Sequence, residues 1–306
     1  MRLIWSVASS GIDQNLRGVT YGKGLFVAVG DKGTILTSSD GKAWSKQNTD
    51  FGQDLWGVTY SRAFDGFIAV GAWGTVLYSS DGKTWLRKKV NGADWLYGVV
   101  GDSRLVAVGA RGLTITFGPS FNQPSSKREC NERLLGVVSH NTGALSVGEK
   151  GTILYSPDKK LWQKVASGVQ ANLWDVAKRI FDSTFIAVGE SGTILLLSPS
   201  ENGIEWNEGE HAEWEIKAVS SGSGPNLFGV VHAYYQDSSS GLIQNMGMFI
   251  AVGEKGTIIL SEDGLNWDQV HSATQETLWG IAYGYDSGLV VAVGENGTIL
   301  NGARSD

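Results

Sequence analysis

The stretch "FIAVGAWGTVL" at residues 67–77 recurs in close variants along the whole chain, and this repetition decides the fold. The glycines that end the seven Val-Gly pairs are Gly30, Gly71, Gly109, Gly148, Gly189, Gly253 and Gly294. They are separated by 41, 38, 39, 41, 64 and 41 residues. A period near 40 indicates a repeat architecture and overrides the expectation of two ordinary domains that the length of 306 residues would raise.

Each repeat contains four short segments with strand character. In the second repeat they are "LWGVTYS" (55–61), "GFIAVG" (66–71), "GTVLYSS" (74–80) and "TWLRKKV" (84–90), which we label strands A to D. Asp-Gly between apolar, alternating segments is a strong hairpin signal because the turn needs positive φ angles. Seven such units predict an all-β fold, a seven-bladed β-propeller of four-stranded antiparallel blades.

The two ends of the chain are predicted to complete one blade. "RLIWSVAS" at residues 2–9 resembles a strand D without A, B and C, whereas residues 277–303 supply A, B and C without D. Their pairing would close the ring and leave no exposed sheet edge, so residues 1–306 are expected to form a single propeller domain. The 64-residue gap is assigned to an insertion at residues 221–247, between strands A and B of the sixth blade.

Composition excludes several classes of function. The net charge of −6 disfavours a nucleic-acid or anionic-membrane surface, and one cysteine allows neither an internal disulfide nor a zinc cluster. We find no P-loop, GxSxG or HExxH motif and expect neither a cofactor nor a metal. Without a visible signal peptide or membrane span we expect a cytoplasmic protein, or a secreted or lumenal one if a leader was removed.

Three turns carry a recognisable motif. "SSDGKAW" (38–44), "SSDGKTW" (79–85) and "SEDGLNW" (261–267) resemble the Asp box of sialidase-like propellers, in which Asp and Trp brace the hairpin between strands C and D. Together with "LWGV" and "AVGxxGTIL", they make nearly the whole chain similar to the Ycf48/HCF136-type repeats, named for photosystem II assembly factors. The resemblance implies a propeller and, in function, a protein-binding ring.

The two variable residues after each Val-Gly form the first set of candidates. In an up-and-down blade the B–C turns and the D–A connections lie on the same face, so these pairs are displayed seven times around one rim. Charged pairs such as Glu149-Lys150 are typical of ordinary soluble turns. Trp73 and Arg111 differ, because Trp and Arg are enriched at binding hot spots.

The second residue of each strand A forms the second set. These residues are Arg17, Trp56, Tyr97, Leu135, Trp174, Lys217 and Trp279. They either line a channel mouth, where aromatic rings stack on a ligand, or pack between neighbouring blades. Arg17 and Lys217 are the stronger binding candidates because a charge is costly in an apolar wedge. Phe228, Tyr234 and Tyr235, in the predicted insertion, are a third group of candidate contact residues.

Two functions fit these residues. The first is a non-catalytic scaffold that binds a protein partner of unknown identity, as an assembly factor or a subunit of a larger complex. The second is a glycan-binding lectin or a sialidase-like glycoside hydrolase that uses the aromatic mouth. A sialidase needs three arginines, and Arg17, Arg111 and Arg133 fall near one face but share no motif. The sequence therefore favours the protein-binding scaffold.

Overall fold

The computed structural model describes residues 3–88, 90, 94–102, 104–118, 121, 124–140, 142–200, 213–220, 222–237 and 244–304. These residues form seven antiparallel sheets of four strands, which confirms the predicted seven-bladed β-propeller. The seven A strands pack against one another in a closed cycle, in the order of their blades. They therefore line the centre of the ring, and the D strands form its periphery.

The A strands are β2 (Leu16–Gly22), β6 (Leu55–Ser61), β10 (Leu96–Gly101), β14 (Leu134–His140), β18 (Leu173–Lys178), β22 (Leu227–Asp237) and β26 (Leu278–Gly284). The B strands are β3 (Leu25–Gly30), β7 (Gly66–Gly71), β11 (Leu105–Gly109), β15 (Gly143–Gly148), β19 (Phe185–Gly189), β23 (Gln244–Gly253) and β27 (Leu289–Gly294).

The C strands are β4 (Ile35–Ser38), β8 (Val76–Ser79), β12 (Leu113–Phe117), β16 (Ile153–Ser156), β20 (Ile194–Pro199), β24 (Ile258–Ser261) and β28 (Ile299–Arg304). The D strands of blades one to six are β5 (Ser45–Lys46), β9 (Leu86–Lys88), β13 (Ser125–Arg128), β17 (Gln163–Val165), β21 (Trp214–Ser220) and β25 (Asp268–Gln269). Blade seven takes its D strand, β1 (Leu3–Ala8), from the start of the chain.

The ring is closed as the sequence predicted. Strand β1 pairs antiparallel with β28, from Leu3 opposite Arg304 to Ala8 opposite Ile299. The side chains of Leu3 and Trp5 are buried in the apolar cluster between blades six and seven. The first residues of the chain thus complete the blade built from its last three strands.

The core lies between neighbouring blades. The apolar cluster between blades one and two, for example, joins Val27 and Val29 of β3 to Phe67 and Leu77 of blade two. Every blade has a neighbour on each face, so the B strands are buried on both sides. This burial explains why they are uninterrupted apolar runs rather than alternating ones.

The Asp-box turns brace the C–D hairpins as the resemblance implied. In blade two, the Asp81 carboxylate accepts hydrogen bonds from the backbone N–H groups of Lys83 and Thr84, each at 2.8 Å. The indole of Trp85 donates to the carbonyl oxygen of Gly82 at 3.0 Å. The same carboxylate bonds hold the turns of blades one, four and six. These motifs are structural parts of the hairpin.

The predicted insertion at residues 221–247 is wrong. Strand β22 (Leu227–Asp237) is strand A of blade six and pairs with β23, while Trp214–Ser220 is strand D of blade five. Ile194 pairs with Ser220, 26 positions later, whereas Ile153 pairs with Val165 only 12 positions later. The additional length therefore lies in the C–D connection of blade five and in the A–B hairpin of blade six.

Candidate functional site

A β-bulge at the start of every inner strand creates a ring of side chains in the channel. In each A strand the pairing with strand B shifts between the first residue, a leucine, and the third. The leucine is buried in the blade, and the unpaired second residue turns into the channel. The ring consists of Arg17, Trp56, Tyr97, Leu135, Trp174, Phe228 and Trp279, and it lines a cavity of about 510 Å³. Of our two interpretations, the channel mouth is the one observed.

Lys217 does not belong to this ring. It lies on the outer strand β21, where its side chain is exposed, and Phe228 occupies the position that we had assigned to it. Phe228 is also separated from the tyrosines that the sequence grouped with it. Tyr234 and Tyr235 lie near the other end of β22, where Tyr234 contacts Phe181 at 5.9 Å.

Glycine at the third position lets neighbouring inner strands approach closely. A Cβ atom at Gly57 would lie 2.8 Å from the carbonyl oxygen of Tyr97, and one at Gly18 would lie 2.8 Å from that of Trp56. Six of the seven A strands have glycine here. The exception is Asp175 in blade five.

Asp175 places a carboxylate in the channel wall. Its Oδ1 accepts a hydrogen bond from the backbone N–H of Val176 at 2.8 Å, and its Oδ2 accepts one from Val230 of blade six at 3.0 Å. Burial raises the pKa of the Asp175 carboxyl to about 6, although these two N–H donors act in the opposite direction. At neutral pH the channel therefore contains a carboxylate that is poorly solvated.

One half of the ring is a continuous aromatic surface. Trp174 contacts Phe228 at a ring-centroid distance of 5.4 Å, and Phe228 contacts Trp279 at 4.3 Å. The guanidinium of Arg17 lies 4.9 Å above the ring of Trp279. Within the described residues, the buried indole N–H groups of Trp174 and Trp279 have no acceptor. These rings are therefore positioned by T-shaped and tilted ring contacts and by packing.

Most B–C turns are braced by their own polar residues. Glu254 accepts a hydrogen bond from the backbone N–H of Asn226 at 3.1 Å and one from its side-chain amide at 2.7 Å. The carbonyl oxygen of that amide accepts the backbone N–H of Ser191 from the preceding blade at 2.7 Å. In the same way, Asp54 accepts a hydrogen bond from the backbone N–H of Lys32, and Asn172 accepts one from the backbone N–H of Lys150. Acidic and amide residues on this rim thus join neighbouring blades.

Blades two and three depart from this bracing. Ala72 and Ala110 stand where five other turns have Asp or Glu. Trp95 and Arg133 stand in D–A connections at the position of Asp54, and their side chains contain no hydrogen-bond acceptor for the preceding turn. The four changes occur together, around the turns that contain Trp73 and Arg111.

Aromatic side chains at these positions extend from the rim into the channel. Trp73 is 71% exposed and has a φ of 56°, in the left-handed region. Its ring meets Trp95 edge-on at 5.8 Å, Trp95 meets Trp56 at 5.4 Å, and Trp56 meets Tyr97 at 5.0 Å. We call these four residues the aromatic track. The sequence patterns did not identify Trp95 as a candidate, although four other blades have Asn or Asp at its position.

The arginines around the track are paired with acids of their own blades. Arg17 Nε donates to Asp31 at 2.9 Å, and Arg133 Nε donates to Glu149 at 2.7 Å. Arg111 binds Asp94 through Nε at 3.2 Å and still has a side chain that is 69% exposed. Hydrogen bonding to Arg111 lowers the pKa of Asp94.

These pairs bear on the three candidate arginines of a hydrolase. Arg17 and Arg133 line the channel, whereas Arg111 lies outside it on the rim. Their separate acid partners give little support to a shared site for a substrate carboxylate. Among the described residues, no group of three or more His, Cys, Asp or Glu side chains is arranged to bind a metal. The same residues contain no helix long and apolar enough to cross a bilayer.

Comparison with known proteins places the chain among propellers of low sequence identity. No family model matches it, and no curated protein does. Ycf48 from Cyanidioschyzon merolae is 16% identical, with a TM-score of 0.71, over 97% of this chain and 98% of that one. A structure of Ycf48 bound to a D1 peptide is 13% identical, with a TM-score of 0.73, over 98% and 95%. The WD40 propeller domain of Doa1 is 11% identical, with a TM-score of 0.72, over 100% and 98%. The resemblance to Ycf48 is confirmed at the level of the fold.

Proposed function

We propose that this propeller is a non-catalytic scaffold or assembly factor that binds a segment of a partner protein. The segment lies on the face formed by the B–C turns and D–A connections, with the aromatic track as its main contact. The observation that carries the proposal is Trp73, an exposed tryptophan in a left-handed backbone conformation, aligned with Trp95 and Trp56.

The stability of the fold does not account for Trp73. The B–C turn imposes a left-handed conformation on this position in all seven blades, which costs a residue with a side chain about 1–2 kcal/mol, and bulky residues are rare there. Burial does not offset that cost, because most of the side chain is in solvent. Asn296, at the equivalent position of blade seven, suits the same conformation better. A bound partner would bury the exposed indole.

The neighbouring positions support the same interpretation. The bracing interactions of the other blades are replaced around the Trp73 and Arg111 turns by aromatic and cationic side chains, which are the types enriched at binding hot spots. Arg111 and Arg128 converge on Asp94 and present guanidinium groups beside the aromatic track. A propeller of the same fold has been solved with a peptide bound, which is consistent with a peptide as ligand here.

The proposal is tested by selecting peptides from a phage-displayed library on the wild-type protein and measuring their affinities by calorimetry. Trp73→Asn and Trp95→Asn install residues that other blades have at these positions, and each should weaken binding by at least about tenfold. Leu161→Asn is the matched control, because Leu161 is 65% exposed and lies in a C–D turn on the opposite face. Equal affinities for all four proteins would refute the proposed surface.

A glycan is the second candidate ligand, because the half-exposed rings of Trp56, Tyr97 and Trp279 could stack on sugars. A glycan array and a fluorogenic sialoside assay separate the two functions. We expect no signal in either. Saturable glycan binding that Trp56→Ala abolishes would favour the lectin instead.

A further inference from the structure

Asp175 interrupts a pattern that the other six inner strands keep. Each of those strands has glycine after its channel residue, because adjacent strands come too close for a side chain. Asp175 is accommodated because Gly136 in blade four faces it. A Cβ atom at Gly136 would lie 2.8 Å from the Cα of Asp175 and 3.2 Å from its Oδ1. The fold thus makes room for one carboxylate in a wall otherwise built without side chains at this level.

The carboxylate has capacity for a further partner. Each oxygen accepts one backbone N–H, and a carboxylate can accept about four hydrogen bonds in total. Among the described residues, Asp175 forms no ion pair. The two arginines that line the same cavity, Arg17 and Arg133, are each bound to an acid of their own blade.

The surroundings of Asp175 favour a cation over any other ligand. Trp174 precedes it in the chain and makes a T-shaped contact with Phe228, and both rings line the same cavity as the carboxylate. Aromatic faces attract alkylammonium and guanidinium groups. A poorly solvated carboxylate attracts the same groups and repels anions. Burial also raises the pKa of Asp175 to about 6, a cost to the charged form that a bound cation would reduce.

We propose that the channel beside Asp175 binds one positively charged group of a ligand, an alkylammonium or a guanidinium, which enters from the mouth and pairs with the carboxylate. The site deepens the proposed function, since it rests on a peptide partner to supply the group as a basic side chain or a free amino terminus. The channel itself binds the isolated group, so it can be tested without that partner.

The probes are N-acetyl-argininamide, n-butylamine and the neutral isostere N-acetyl-citrullinamide, each titrated at millimolar concentration. Binding is followed by NMR at the backbone amides of Val176 and Val230, which donate to Asp175. We expect saturable shifts with a charged probe and at least tenfold weaker binding of the citrulline compound. Argininamide and butylamine separate a guanidinium site from an ammonium site. Equal binding of the charged and neutral probes would overturn the proposal.

Three variants complete the test. Asp175→Asn keeps the shape and removes the charge, and Asp175→Gly installs the residue of the other six blades; both should lose binding at least tenfold. Asp50→Asn, an exposed acid in a D–A connection, removes one charge from the same face and should bind like the wild type. If Asp175→Asn does not fold, Asp175→Gly and the citrulline comparison still decide. Undiminished binding by Asp175→Gly would refute the site.

The outcomes separate this site from the proposed function. Trp73→Asn should leave the binding of argininamide unchanged, because Trp73 lies on the rim. Probe binding without any selected peptide would refute the proposed function and keep the cation site. Peptide binding at the rim without probe binding would refute the cation site and keep the proposed function.

Discussion

Replacing Trp5 with alanine should weaken the closure of the ring far more than replacing its neighbour Ile4. Both residues lie on β1, the strand that blade seven receives from the start of the chain. Trp5 is 8% exposed, and its ring carbons would lie 3.0–3.1 Å from a Cβ atom at Gly302, the residue paired with it on β28. Ile4 is 59% exposed on the other face of the strand.

The expected magnitudes follow from this difference in burial. Removing a large buried aromatic side chain costs about 3–5 kcal/mol, because contacts are lost and a cavity remains. An exposed position away from such contacts changes the free energy of unfolding by about 0.5 kcal/mol or less. Trp5→Ala also leaves Gly302 uncovered, so we expect a loss of about 3 kcal/mol or more, against about 0.5 kcal/mol for Ile4→Ala.

Urea denaturation of both variants measures the free energies of unfolding. Gel filtration and limited proteolysis supply a second readout, because release of β1 would expose the edge of β28 to cleavage and to pairing with another molecule. Free energies that agree within about 0.5 kcal/mol would refute the idea that β1 seals the ring.

Three further predictions concern stability. Gly57→Ala should lower the free energy of unfolding in urea by more than about 1 kcal/mol, because its Cβ would lie 2.8 Å from a carbonyl oxygen of the next inner strand. Gly52→Ala is the control and should leave that free energy nearly unchanged, because a Cβ there would meet no atom within 4 Å. The pKa of about 6 at Asp175 lies above its unfolded value, so ionisation of this group destabilises the folded state. The free energy of unfolding should therefore fall by up to about 3 kcal/mol as pH rises from about 4 to 6, and Asp175→Gly should remove that loss in a pH series of unfolding curves. Backbone N–H donors lower the pKa of Asp81, so the ionised Asp81 stabilises the folded state and this stabilisation should be lost as pH falls below about 4. Asp81→Asn should reduce the loss of unfolding free energy over that acidic range in the same series.

The repeat allowed the fold to be predicted almost completely, and the one error has a clear cause. "WEIKAVS" at residues 214–220 alternates as an inner strand would, so alternation alone could not distinguish strand D of blade five from strand A of blade six. The distinguishing signal is a leucine followed two residues later by glycine, which six of the seven A strands share and which "LFGV" at residues 227–230 satisfies. The bulge explains that order, because the leucine enters the core, the second residue turns into the channel and the glycine lets the next inner strand approach.

The candidate site was less accessible from the sequence. Residue type identified Trp73, but Trp95 lies in a connection where variation is expected and becomes informative only beside Asp54 and Asn172. Asp175 was visible as the departure in "LWDV", yet its chemistry depends on Gly136 and on the N–H of Val230, which are distant in the chain. Contacts between blades cannot be derived from a pattern within one blade.

The rim and the channel suggest one ligand rather than two. The aromatic track reaches from Trp73 to the channel ring, and Asp175 lies in the wall of the same cavity. A peptide with an apolar residue for the track and a basic side chain for Asp175 would gain from both, since binding at one raises the effective concentration at the other.

A double-mutant cycle on such a peptide tests this connection. Trp73→Asn and Asp175→Gly should each weaken binding by about tenfold or more in calorimetry. Because the two residues contact different parts of the peptide, their effects should add, giving about a hundredfold loss in the double variant. In the Asp175→Gly protein, exchanging the basic residue of the peptide for citrulline should have no further effect. A citrulline effect that is the same with and without Asp175 would mean that the basic side chain binds elsewhere, and the connection between rim and channel would then be wrong.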